Sequence, residues 1–279
     1  MALEDAPPGL TELADGVYAW LLPPVSGTAN AGVVIDADGV TVIDTLMVRS
    51  QWEPFAAAVE AFDLPVKRTI LTHAHIEQSG GTRAFAKTAI YGTRQASRAL
   101  DQPMPVDAYK AFMPGFDPEF DDLAEFGTRG VTHIVRGAAQ LTPRIELLPA
   151  EGHTEDDLLV LVGDADVCFA GGLCSFGITP LAFQGNPAVW ADVLDAVVDL
   201  ADVIVPGHGP VGGERDVREL QGYLRACVDA RGDVHAIPPG PWDAWTERSR
   251  DAINVERADM LVRGDEDLPP SMRAAMGLG

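Results

Sequence analysis

Hydrophobic and polar positions alternate along this chain with two periods that take turns. Residues 16–22, 31–36 and 40–44 carry short β signals, and the turn sequence D-A-D-G joins the last two. Residues 52–62 switch to helical spacing. K-R-T-I-L-T at residues 67–72 then reads as a buried strand, followed by a helix over 81–87 with Ser79 as its cap. Strand patterns resume at 144–148, 158–162 and 167–170, the last two joined by G-D-A-D. An amphipathic helix is expected at 189–200, a strand at 203–205, and a helix at 217–228 with Val217, Leu220, Leu224 and Val228 on one stripe. The pattern predicts sheet and helix alternating in two similar halves.

Residues 101–130 break this rhythm. Pro103, Pro105, Pro114 and Pro118 are interleaved with Tyr109, Phe112, Phe116, Phe120 and Phe126. Such a long irregular aromatic insert is a lid over a pocket or a locally packed surface excursion, and the lid is the preferred reading. From Ile237 the sequence I-P-P-G-P-W leads into a helical stretch around 245–262. The expected organisation is a domain over residues 1–235 and a helical tail over 236–279, which braces the domain or forms a homodimer contact.

Composition narrows the partners. The chain has 279 residues, 47% of them hydrophobic, enough to bury a large core. Its formal net charge of -22 repels phosphate backbones and anionic lipid, so neither nucleic acid nor a membrane is expected as partner. A small-molecule substrate remains. M-A-L-E-D-A-P-P-G-L at the amino terminus has neither a basic region nor an apolar run, and the expectation is a soluble, cytoplasmic protein. The cysteines, Cys168, Cys174 and Cys227, fit buried thiols in a reducing compartment, with Cys174 inert in its apolar strand.

Candidate chemistry sits on histidines. Of the six, His133 and His235 carry no motif and read as structural or surface residues. His73, His75, His153 and His208 lie at or just beyond predicted strand ends, in the glycine-bearing or chelating loops T-H-A-H, E-G-H-T and P-G-H-G-P. His73 and His75, two apart on an extended segment, point the same way and can grip one metal ion.

In order and spacing these pieces resemble the metallo-β-lactamase superfamily over roughly residues 10–235: the N-A-G-V-V-I-D and V-T-V-I-D-T hairpin, the H-x-H loop, the G-H-T loop and the final P-G-H-G loop. The resemblance implies an α/β fold, an αββα sandwich with its metal cleft at one edge of two sheets. It maps His73, His75 and His153 onto the ligands of the first metal and His208 onto the second site. It also makes Asp44 an acid that steadies the metal loops. The departures all fall in the second site. Glu77 replaces the family's aspartate, Gln78 replaces its histidine, and the bridging aspartate falls on Gly172, beside Gly171. An amide oxygen is a poor zinc donor, and without the bridging carboxylate nothing screens two dications from each other. One metal, zinc before iron or another divalent ion, is therefore expected.

The expected activity is mononuclear hydrolysis or elimination at an activated carbonyl such as an ester, thioester or lactone. Glu77 would serve as acid and base, His208 as a catalytic contact and Gln78 as a substrate contact. Two readings compete with it: a three-histidine iron enzyme, and a metal-free binding or tailoring protein that keeps only the cleft.

Overall fold

The computed structural model describes residues 6–278. Its first sheet contains, in spatial and sequence order, β1 (Leu10–Ala14), β2 (Val17–Trp20), β3 (Ala31–Asp36), β4 (Gly39–Ile43), β5 (Val66–Ile70), β6 (Ala89–Gly92) and β7 (His133–Ile134). The second is built from β8 (Ala139–Gln140), β9 (Ile145–Ala150), β10 (Asp157–Val162), β11 (Val167–Ser175) and β12 (Val203–His208), in the reverse spatial order β12-β11-β10-β9-β8. Each sheet begins as an antiparallel meander and turns parallel where a helix crosses over. In the first sheet α1 (Arg49–Glu60) carries the chain from β4 to β5. In the second, α6 (Pro187–Val198) carries it from β11 to β12.

Three apolar layers hold these pieces together. Between the sheets, Val17, Val34, Ile43 and Ile70 face Ile145, Leu147, Leu158, Val160 and Phe169. Outside the first sheet, Tyr18, Val33, Val40 and Val42 receive Trp52, Phe55 and Val59 of α1. Outside the second, Leu173 and Cys174 are covered by Trp190 and Leu194 of α6, and by Leu220 and Leu224 of α7 (Glu214–Asp229). Burying side chains such as Phe55 or Leu194 stabilises each contact by roughly 1.5–3 kcal/mol. The order helix, sheet, sheet, helix is the αββα sandwich expected from the sequence.

Two local expectations change. Ser79 caps no helix; it ends the short α2 (Ile76–Ser79), and its hydroxyl donates back to the carbonyls of Ala74 and His75 at 3.1 and 3.0 Å. The insert is not irregular. It follows α3 (Arg94–Leu100) and contains α4 (Val106–Phe112) and α5 (Asp117–Phe126), packed around Met113, Phe120 and Leu123. Pro105 precedes α4 and Pro118 sits in the first turn of α5, where a missing N–H leaves no bond unmade, so these prolines start helices instead of breaking them.

The tail folds back on the domain. Trp242 and Trp245 join the cluster around α7 together with Val255 of α8 (Arg250–Val262), and α9 (Pro270–Ala275) buries Met272. Among the described residues no helix is long and apolar enough to cross a membrane.

Candidate metal centre

β4 and β5 end side by side, and their ends deliver the first histidine. Asp44, directly after β4, has φ 56°, a left-handed conformation that aspartate tolerates better than most residues. This turns its carboxylate under the next strand end, where it accepts bonds from the Thr72 N–H and the Thr72 hydroxyl, both at 2.8 Å. Burial pushes the Asp44 carboxyl up to about 7 while the two Thr72 bonds pull it down. The Thr72 hydroxyl, its proton given to Asp44, lies 3.1 Å from His73 Nδ1 and accepts from it. His73 Nε2 is thereby left with a lone pair.

His75 is set from the other side of the cleft. Its Nε2 lies 2.8 Å from the Gln184 amide oxygen, and Phe183 stacks on its ring with centroids 5.2 Å apart. An amide oxygen only accepts, so Nε2 carries the proton and Nδ1 the lone pair. His153 comes from the loop between β9 and β10, edge-on to Trp190, whose Nε1–H donates to the Leu173 carbonyl at 2.9 Å.

The three rings meet. His73 Nε2 and His153 Nε2 each lie 3.0 Å from His75 Nδ1, and the ring planes cross at 82, 86 and 90°. All three ligand atoms fall within 4.8 Å of one another. Imidazole nitrogens about 2.0–2.1 Å from a tetrahedral metal ion lie about 3.3 Å apart, so the observed spacing suits a shared ion. The hydrogen bonds make the stronger case. His73 Nε2 and His75 Nδ1 therefore turn lone pairs toward each other at 3.0 Å, an arrangement that repels unless a cation sits between them. Burial, and next the neighbouring imidazoles, hold His73 and His153 well below the usual histidine range, so both stay neutral and ready to bind metal. His153 Nδ1 is buried without a partner.

The neighbouring second site is poor in ligands. The three histidines are the one group of potential ligands found among the described residues. A side chain on Gly172 would overlap the His153 ring, and one on Gly171, at φ 50°, would overlap Thr72. Neither glycine offers a carboxylate, and the His153 ring occupies the space that a side chain on Gly172 would need. Gln78 is fully buried, and both polar atoms of its amide lack partners.

His208, at the end of β12, donates from Nδ1 to the Thr28 carbonyl at 2.6 Å, leaving Nε2 as an acceptor. Burial lowers its basicity; the Glu77 charge opposes this and the Arg250 charge adds to it. Glu77 is half-buried in a wall of the cleft, near enough to raise the Tyr109 phenol further than burial alone.

Several residues here are invisible to motif reading. Asn30 ties the first sheet to the His208 loop, donating to the carbonyls of Pro206 and Gly209 at 2.9 and 2.8 Å. From α8, Arg250 donates to the Thr179 carbonyl at 2.9 Å, Asn254 to the Pro180 carbonyl at 2.9 Å, and Arg257 to the Gly185 carbonyl at 2.9 Å. These grip the loop that carries Phe183 and Gln184 onto His75. Arg250 is 8% exposed, and among the described residues it has no carboxylate within ion-pair distance. Only the glycine-bearing loop L-A-F-Q-G-N-P hinted at Gln184; the acid-flanked E-R-S-R-D gives no sign that Arg250 turns inward. Cys174 is buried and its thiol pushed well up by burial, so it is no nucleophile. His133 and His235 lie outside the centre, both exposed.

The sequence profile of the metallo-beta-lactamase superfamily matches residues 26–208, which include all four loop histidines. The metallo-beta-lactamase type 2 of Bacillus sp. (strain 170) is 25% identical over 193 residues, covering 66% of this chain and 68% of that protein, and the type 2 enzyme of Bacillus cereus matches to the same extent. In structure the chain is similar to the metallo-beta-lactamase of Erythrobacter litoralis with beta-mercaptoethanol in its active site (TM-score 0.59, 20% identity, 77% of this chain and 95% of that one). It is also similar to the metallo-beta-lactamase FIM-1 of Pseudomonas aeruginosa in its mono-zinc form (TM-score 0.59, 20% identity, 85% and 100%).

Proposed function

The chain belongs to the metallo-beta-lactamase superfamily, and from that premise we propose that it is a hydrolase loaded with one zinc ion, acting on a small molecule with an activated carbonyl such as an ester, thioester or lactone. One observation carries the reading: the Asp44–Thr72 pair and Gln184 turn two lone pairs toward a point that they share with His153. His73, His75 and His153 would hold the zinc ion, which would supply a Lewis acid and lower the pKa of water toward neutral.

The chain's own groups would do the rest. Glu77 takes the proton from the attacking water, whose oxygen bonds to the acyl carbon. The acyl C–O or C–S bond then breaks, and Glu77 returns the proton to the leaving group. Arg250, buried near Glu77 and His208, would add fixed positive charge to that side of the cleft. The Gln78 amide, fully buried and without a partner, lines neither chamber beside His75 and would meet substrate only through a bound water.

Elemental analysis of protein purified without added zinc tests this, with His75→Ala alongside. The expected result is close to one zinc per chain in the parent, none in the variant, and ester or thioester hydrolysis lost with the metal. Two ions per chain, or activity that survives metal removal, would overturn it.

A further inference from the structure

Two chambers flank His75. One, of about 130 Å³, is walled by Phe112 of α4, Leu181 and Phe183 of the loop after β11, and Met272 and Met276 at the end of the tail, with His75 and Glu77 on its polar side. The other, of about 150 Å³, is polar, with Gln95, Gln102, Thr128 and Thr154 in its wall. His75, Tyr109 and Gln184 belong to both. Neither wall contains a lysine or an arginine. The family match ends at His208, so the methionines that close the apolar chamber come from a part of the chain outside it.

Size and chemistry specify the occupant. A dry apolar cavity of about 150 Å³ accommodates benzene, so the apolar wall of the smaller chamber covers one six-membered ring or a short branched chain, and a long acyl tail would run beyond it. Methionine and phenylalanine offer polarisable contact to a ring, and the nearby Glu77 carboxylate repels an anion. We infer that the substrate is a neutral ester or thioester whose acyl part bears a single ring or short branched chain, seated against Met272 and Met276, and whose leaving group is polar and lies in the second chamber. This inference rests on the hydrolase reading above and narrows its substrate class.

The test uses the full zinc-loaded chain and the phenylacetyl, acetyl and dodecanoyl thioesters of N-acetylcysteamine, with phenylacetamide binding measured separately by calorimetry. The phenylacetyl thioester should exceed the other two in kcat/KM by about 10- to 200-fold, the range a well-fitted apolar pocket gives. Met276→Trp, which fills the chamber from the half-exposed last turn of the tail, should bring that ratio close to one and abolish phenylacetamide binding. Leu181→Trp, on a different element, should repeat the effect if the first variant folds poorly.

Equal turnover of the three thioesters would overturn the chamber assignment and leave the hydrolase reading standing. Phenylacetamide binding lost in both tryptophan variants, without turnover of any thioester, would keep the chamber and reject hydrolysis. Neither binding nor turnover would reject both.

Discussion

At the scale of single residues, Thr72 joins the buried Asp44 carboxylate to the His73 ring and so chooses which nitrogen faces the three-histidine centre. Thr72→Val keeps the shape of the side chain but removes the hydroxyl that accepts from Nδ1. Metal affinity should fall about 10- to 100-fold, measured by competition with a chromophoric chelator, as it does when a partner of a ligating histidine is lost. Gly172→Asp carries a sharper expectation. It restores the carboxylate of a binuclear site at the corresponding position, yet its Cβ would overlap the His153 ring. The variant should bind fewer ions than the parent and lose roughly 1–3 kcal/mol of stability to overpacking, read by elemental analysis and denaturant titration. An increase to two ions per chain would contradict the steric account.

At the scale of elements, the G-H-T loop between β9 and β10 depends on Asp157. Its carboxylate accepts from the Thr154 N–H at 2.9 Å and the Thr154 hydroxyl at 2.8 Å, closing the turn that presents His153. Burial nevertheless pushes Asp157 up to about 7, with the Thr154 bonds opposing. Unfolded, the group titrates near the ordinary ~3.9, so between these values the folded chain binds a proton that the unfolded chain has released. The stability this group contributes is complete below about pH 4, falls as pH rises toward about 7, and is level beyond. Asp44 has the same sign and the same window. Thermal midpoints of metal-free protein should therefore decline from about pH 4 to 7. Asp157→Asn should flatten part of that decline; an unchanged slope would remove Asp157 as a source. The loop carrying Phe183 and Gln184 shows the limit of element-level reading: its position is fixed by bonds from α8, about 70 residues further along the chain.

At the scale of the whole molecule, a formal charge of -22 loads the folded state with self-repulsion. Raising NaCl from about 0.02 M to about 0.5 M screens it, and the thermal midpoint should rise by roughly 2–4 °C, the shift that about 1 kcal/mol produces in a domain of this size. Scanning fluorimetry at constant pH measures this; a falling midpoint would mean that the surface ion pairs outweigh the repulsion. The same scale separates what was legible from what was not. The helices over 52–62, 189–200 and 217–228 stood out because each buries one continuous face, which writes a period into sequence, and the strand at 31–36 because it is a short apolar run buried on both sides. Short edge strands such as β7 and β8 did not, since their exposed residues leave no such mark. The sequence by itself determined the alternation of strand and helix and the close spacing of His73 and His75, because both are local properties of a chain; the αββα sandwich and the addition of His153 followed from the resemblance of the loop motifs to a known family. Only the tertiary structure decided which nitrogens face the centre, that the His153 ring fills the space above Gly172, and that Arg250, Gln184 and Met272 belong beside it. Those depend on distances between residues far apart in sequence, which packing sets and no local pattern records.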